Sequence, residues 1–315
     1  LRRSRGLGDV YKRQLEDWSN SYKDNNSKLA KRISDEYSRT FTFANNKQRG
    51  FTTINKLESD KIKSWKRLDE DDIIELVLYK PLEISDSIEI NINYTIKLPD
   101  SKFTGYGYDD QNFYLKNWII VYSNLNSSNW SKQSNLNLDD QSINYSDYYI
   151  QFKIHKDYKL FSNLNRLSTK QNEDHNLISL KGNNKRDVDI NILKESKFLR
   201  LEHNGIISET DIFKLSSITN TQFSYNRITK FISNFFNDDS NKKFLISQSD
   251  YELSPFYGLN QLPRFIRPFP DDFLEEIIFL KSFTLNYLNE KIHLNRRDSH
   301  WTVSYTHLRA HETFA

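Results

Sequence analysis

The sequence contains no cysteine and no methionine. Without cysteine there can be no disulfides, thiol nucleophiles, iron–sulfur clusters or cysteine-ligated zinc, although many envelope proteins also lack disulfides, so the compartment stays open. The missing methionine includes the first position, so the true beginning of the protein, with any signal peptide, is expected to lie outside these residues. Charge of one sign is lacking too: 45 Lys and Arg stand against 42 Asp and Glu, and the net +3 is spread along the chain. That distribution gives no support to nucleic-acid binding. No apolar run approaches the roughly 20 residues of a membrane span, so no span is expected in this chain.

What the chain does have is aromatic bulk. Only 37% of residues are hydrophobic, but 21 Phe, 18 Tyr and 5 Trp can carry a core. At 315 residues the chain is long enough for two ordinary domains. Leu1–Gln14 and Val303–Glu312 resemble translated sequencing-adapter read-through of the kind found at the ends of proteins assembled from environmental DNA. Residues 1–14 and 302–315 are therefore set aside as artefact. With them goes the string His307, His311, Glu312, which imitates a metal site because His at i and i+4 share a helix face. Its order is wrong for HExxH, in which the Glu lies between the two His.

The polar stretch Asp17–Thr42 places Leu29, Ile33 and Tyr37 at i, i+4, i+8 and predicts a short surface helix. Phe51–Ile54 and Ile73–Leu78 read as strands. Ser87–Leu98 alternates cleanly, with Ile88, Ile90, Ile92, Tyr94, Ile96 and Leu98 on one face, as a half-buried antiparallel strand does. The same period recurs in Tyr148, Ile150, Phe152 and Ile154 and in Val188, Ile190 and Ile192. Turns are expected at Asn124–Asn129 and Gly182–Lys185, and Gly105 and Gly107 read as a hairpin turn rather than a phosphate loop. Such strands with Asn, Ser and Gly turns make a β-sandwich. The Asn- and Ser-rich composition itself reads as solvated loops of an AT-rich genome.

Beyond residue 205 the period changes. Phe223, Ile228, Phe231, Ile232 and Phe235 fall near helical spacing. Lys243–Ser247 reads as a buried strand and Ser254–Pro268 as a loop rich in Pro, Gly and aromatics. A helix is expected over Asp271–Asn289, with Pro270, Asp271 and Asp272 at its positive end and Phe273, Ile277, Leu280, Thr284 and Leu288 on one face.

The blocks DYELSPFYGLNQLPRFIRPFPDDF (Asp250–Phe273) and LKSFTLNYLNEKIHLNRRDSHW (Leu280–Trp301) resemble a Bacteroidetes-type branch of the aminopeptidase N family of zinc metallopeptidases. Asp17–Phe41, Arg49–Ile54 and Leu98–Trp118 match the N-terminal β-domain of that branch. The resemblance implies an α+β chain. An antiparallel β-sandwich over 15–204 would be followed over 205–301 by the beginning of a thermolysin-like, mainly helical catalytic domain. It also favours export to the cell envelope or periplasm.

Family members hold one zinc through HExxH and a later Glu, and hold the substrate's free amine through the Glu of a G-x-M-E-N loop. Two imidazoles and a carboxylate leave an open metal position for water, and the motif Glu takes that water's proton. This sequence departs from the pattern. If Gly258 matches the loop glycine, Asn260 stands for the Met and Gln261 for the amine-binding Glu, and a neutral amide holds an ammonium less strongly than a carboxylate does. The helix that should carry HExxH reads Glu275, Glu276, Ile277, Ile278, Phe279, Leu280, Lys281, Ser282. The third-ligand region falls past Trp301.

The expectation is therefore no catalytic residue, no metal ligand and no cofactor in this chain, zinc being the family's. Tyr257, Gly258, Asn260 and Gln261 are expected to border a cleft that binds peptide or a protein partner. The rival expectation is an active zinc aminopeptidase whose metal motif lies downstream. Against catalysis, Glu275 and Glu276 suit the helix dipole. Arg264 and Arg267 suit packing on Phe265 and Phe269 or pairing with Asp271 and Asp272. His293 and His300 match no metal spacing.

Overall fold

The computed structural model describes residues 11–27, 30–31, 33–68, 72–82, 86–123, 125–126, 129–130, 144–195, 198–213, 218–237, 242–247 and 271–291. The chain divides into two compact units. One comprises Leu1–Lys97, Trp118–Asn144 and Lys291–Ala315, the other Leu98–Asn117 and Tyr145–Glu290. Residue 205, where the sequence changes period, is the tip of a hairpin inside the second unit.

The early strands are β1 (Lys12–Glu16), β2 (Phe51–Glu58), β3 (Ile62–Arg67), β4 (Ile73–Leu78) and β5 (Asn91–Lys97). Next come β6 (Gly107–Asp109), β7 (Asn112–Leu115), β8 (Val121–Tyr122), β9 (Leu125–Asn126) and β10 (Asn129–Trp130). Then follow β11 (Ser146–His155), β12 (Lys159–Ser162), β13 (Asn165–Gln171), β14 (His175–Lys185) and β15 (Ile190–Leu193). The last strands, β16 (Leu199–His203), β17 (Ile206–Thr210) and β18 (Lys242–Ile246), are accompanied by helices α1 (Ile218–Phe236) and α2 (Asp271–Lys291). Strand pairing is antiparallel throughout the named ladders except between β17 and β18.

In the first unit the sheet order is β3-β4-β1-β8, and β2 pairs with β5. Leu15, Leu57, Ile74 and Leu76 form the buried centre, with Ile54, Ile62, Ile90, Ile92 and Ile120 packed against it. Burial in β5 alternates as its sequence does, because period-two side chains point to opposite faces. Lys12, Arg13 and Gln14, set aside above as foreign, are the first three of the five residues of β1 and pair with Val77, Leu76 and Glu75. The expected surface helix is a single π-type turn, Ile33–Tyr37. Ile33 is fully buried there, beside a 3₁₀ turn whose Phe41 meets Tyr22 edge to face at 6.1 Å.

In the second unit one sheet runs β12-β15-β7-β6, a second runs β11-β14-β13, and a third runs β16-β17-β18. Gly182–Lys185, expected as a turn, continues β14 opposite β11, with Tyr148 across from Gly182. Asn184 takes positive φ there and its amide donates to Asp147 Oδ1 at 2.7 Å, so the turn-prone residues form a bulge within the ladder. The β6–β7 hairpin turns at Asp110 and Gln111, not at Gly105 and Gly107. Gly107 lies at φ 132, and a Cβ there would come within 2.0 Å of the Pro99 carbonyl oxygen. The glycine permits a backbone crossing rather than the turn itself.

The β16–β17 hairpin turns through Asn204 and Gly205, both at positive φ, the pairing favoured by a tight two-residue turn. From β17 the chain crosses through α1 to β18, which pairs parallel to β17, the geometry that needs a helical crossover. Leu201, Ile206, Phe244 and Ile246 of this sheet share one buried cluster with Tyr225, Ile228 and Ile232 of α1 and Ile278, Phe279, Phe283 and Tyr287 of α2.

Helix spans follow the sequence, but helix faces do not. On α1, Ile228 and Ile232 turn inward as expected. Phe223, Phe231 and Phe235 are 68%, 58% and 70% exposed, and the inward stripe is completed instead by Tyr225. On α2 the buried stripe is Phe279, Phe283 and Tyr287 with Ile278, while Ile277, Leu280, Thr284 and Leu288 are half-buried. Both helices carry apolar residues on more than one face, so spacing alone leaves two stripes to choose between. On α2 the buried stripe is the one with rings at i, i+4, i+8, whereas on α1 it is Tyr225, Ile228 and Ile232, and three phenyl rings stay outside.

Candidate functional site

Tyr257, Gly258, Asn260 and Gln261, the expected cleft residues, lie outside the described residues, as do Arg264, Arg267, His293, His300, His307, His311 and Glu312. The helix expected over Asp271–Asn289, where the resemblance would put HExxH, is α2. Its inward face is an aromatic ladder. Phe279 and Phe283 have ring centroids 5.7 Å apart with planes inclined by 21°, and Phe283 and Tyr287 follow at 6.1 Å. Phe213 lies 5.0 Å from Phe279, Phe244 lies 5.1 Å from Phe283, and Phe236 stacks on Tyr287 at 5.2 Å. Lys242 places its ammonium 4.9 Å from the Tyr287 ring. Aromatic pairs at such separations are worth roughly 0.5–1.5 kcal/mol each beyond area burial. The stripe of α2 that faces the sheet is thus a packing surface.

Of the two acidic residues in the early turns of α2, Glu276 is engaged by α1: Ser224 Oγ and Arg227 Nη2 both donate to its carboxylate. An acid held by a hydroxyl and a guanidinium pins one helix to the other. Lys281 is exposed. Among the described residues no group of three or more His, Asp or Glu is placed to hold a metal ion.

Beneath α1, Tyr225 donates its hydroxyl to the Ile206 carbonyl at 2.9 Å and meets Ser208 Oγ at 3.2 Å. Burial pushes this phenol well up, so Tyr225 stays a neutral donor. His203 Nδ1 and Thr229 Oγ1 lie 2.8 Å apart, and Thr229 Oγ1 in turn donates to the Tyr225 carbonyl at 2.9 Å. These bonds tie α1 to the β16–β17 hairpin. Across that sheet Lys243 Nζ meets Glu209 Oε1 at 3.0 Å. Lys243 also donates to the Leu164 carbonyl at 2.9 Å, and Glu209 Oε2 accepts the Ser162 amide at 3.0 Å. Burial holds the Lys243 ammonium below the ordinary lysine value, with Glu209 opposing.

On the β11–β14 sheet, burial pushes the Tyr148 phenol up to about 12, with Asp187 adding to the effect. Burial also raises the Asp187 carboxyl, against the pull of Lys116. In the first unit Asp17 is enclosed with Arg67 Nη2 at 2.5 Å and Thr52 Oγ1 at 2.8 Å, and Ser21 Oγ donates to Asp72 Oδ2 at 2.8 Å. Burial raises Asp17 despite Arg67. Sequence reasoning passed over both buried pairs. The signal available was a charged residue inside a short apolar run, as in Lys243 of KFLIS and Glu209 of IISET.

The chain matches no family model and no curated protein sequence. It is similar in structure to the M1 zinc metallopeptidase of Deinococcus radiodurans, at 8% identity and a TM-score of 0.41, over 62% of this chain and 46% of that one. A mutant of that metallopeptidase bound to a Tyr-Ser-Ala substrate is matched at 8% identity and TM-score 0.42, over the same shares. A two-domain M1 zinc metallopeptidase mutant bound to L-arginine is matched at 7% identity and TM-score 0.41, again over the same shares. The chain spans about half the length, 46%, of these solved structures.

Proposed function

We propose that this chain is a fragment of an aminopeptidase N-like metallopeptidase homologue that is catalytically inactive as it stands and binds peptide or a protein partner. The family assignment rests on the resemblance of Asp250–Phe273 and Leu280–Trp301. In this reading an N-terminal β-sandwich over 15–204 leads into the start of a thermolysin-like domain over 205–301. Tyr257, Gly258, Asn260 and Gln261 border the peptide.

One observation carries the loss of catalysis. The face that α2 turns inward presents Phe279, Phe283 and Tyr287 to Phe213, Phe244 and Phe236. A zinc that activates water needs two imidazoles one turn apart and a base between them, and phenyl rings at i and i+4 offer no lone pair to a metal.

The test is zinc content and hydrolysis of aminoacyl-anilides by the full-length gene product. Less than one zinc per chain, no hydrolysis and saturable binding of a fluorescent peptide are expected. One zinc per chain with turnover would overturn the proposal in favour of a working aminopeptidase with downstream ligands.

A further inference from the structure

A second feature, outside the expected cleft, is a pair of histidines at the end of the β11–β14 ladder. His155 of β11 stands directly opposite His175 of β14. The next residues outward, Lys156 and Asp174, are joined by a backbone bond from the Lys156 amide to the Asp174 carbonyl at 3.0 Å. Bonded and non-bonded pairs alternate along an antiparallel ladder, so His155 and His175 form a non-hydrogen-bonded pair, the kind whose side chains approach closest. Their ring centroids are 6.2 Å apart with planes at 73°. His155 is exposed and His175 half-buried, so both rings can reach solvent.

We propose that His155 and His175 form a two-imidazole site for a late first-row divalent cation, Cu²⁺ foremost. Imidazole suits copper, nickel and zinc, and affinity for a given nitrogen site peaks at Cu²⁺. The His155 ring is oriented for the task. Asp157 Oδ2 lies 3.4 Å from Nδ1, and an Nδ1–H directed at that carboxylate leaves Nε2 for the metal. A carboxylate behind a ligating imidazole fixes the ring and strengthens its donation. With centroids 6.2 Å apart, two imidazoles can share one ion once each ring turns a nitrogen to metal-bond length, about 2.0–2.1 Å. Water fills the remaining positions, since no third acid or imidazole among the described residues completes a set.

Three lysines neighbour the site, Lys153, Lys156 and, on β13 opposite Leu177, Lys170. Lys156 turns its ammonium to the Glu173 carbonyl at 2.9 Å, and Lys153 lies two residues along the exposed face, opposite Leu177. The bound ion links β11 to β14 and stabilises only the folded chain, in which the two strands lie side by side.

The experiment titrates CuCl₂ into the whole chain carrying His307→Asn and His311→Asn, because those two residues, four apart in the tail, could capture the same ion. Calorimetry gives affinity, and paramagnetic broadening of imidazole proton signals reports which rings bind. One Cu²⁺ per chain is expected, with broadening of the His155 and His175 signals and a rise in thermal midpoint. His155→Asn and His175→Asn should each abolish one-to-one binding, and Asp157→Asn should weaken it by about tenfold, with circular dichroism unchanged. Affinity untouched by both histidine substitutions, or broadening confined to other histidines, would overturn the site.

Discussion

Each of the two units encloses an ion pair, and the two pairs bury opposite partners. In the first, the Asp17 side chain is 1% exposed and the Arg67 side chain 21%. The acid bears the burial and its carboxyl is raised, while the guanidinium keeps part of its hydration. In the second, Lys243 is 6% exposed and Glu209 11%. There the ammonium is the group displaced, downward, and both partners spend their remaining bonds on backbone, Lys243 on Leu164 and Glu209 on Ser162. The comparison teaches that a buried pair is tied to its surroundings through whichever member has lost its water. Removing a partner therefore costs most where neither member can turn to solvent.

The largest effect is expected at the more enclosed pair. Lys243→Met strands the Glu209 carboxylate and should destabilise the chain by about 3–5 kcal/mol, measured by urea unfolding. Adding Glu209→Leu should recover most of that loss. A double variant no better than the single one would break the account. Arg67→Met should cost less, about 1–3 kcal/mol, because burial already raises the Asp17 carboxyl, which can take up a proton instead of standing charged. Equal losses at the two sites would erase the distinction drawn between them.

The smallest effect is in pH dependence, where the pairs should differ in sign. Asp17 is raised, so the stability it contributes is full below the ordinary aspartate range and is lost as pH rises through its folded value. Lys243 is lowered, so its contribution is full above the ordinary lysine range and is lost as pH falls through its folded value. In denaturant midpoints followed across pH, Asp17→Asn should remove a decline on the acid side. Lys243→Met should remove a rise on the alkaline side. Parallel changes in both variants would contradict the assignment of the buried member.

Legibility in the sequence tracks how far a local pattern determines structure. The alternation through Ile92, Tyr94 and Ile96 marked β5 because a strand with one covered face has only one way to point its apolar side chains. Ile73–Leu78 was read to the residue as β4, and α2 to within two residues at its end. The faces of α1 and α2 were misassigned, since spacing offers several apolar stripes and the partner sheet decides among them. Gly182–Lys185 carried turn composition yet lies in β14, where a long-range partner, β11, overrides it. Asn204–Gly205 carried an equally plain turn signal and was passed over. The cleft residues Tyr257, Gly258, Asn260 and Gln261 came from resemblance, not pattern, and fall outside the described residues. The pairing of the buried charges was illegible for a physical reason: joining Glu209 to Lys243 requires β18 to lie parallel to β17, a register no local period encodes.

That parallel register also has a consequence during synthesis. Strand β17 leaves the ribosome with one side matched by β16 and the other bare, and its second neighbour is made only after the whole of α1. A nascent chain halted between them would present an open row of amides and carbonyls to other chains, the condition that seeds edge-to-edge association. Slow translation through 211–241 is therefore the interval in which this protein would most need a chaperone.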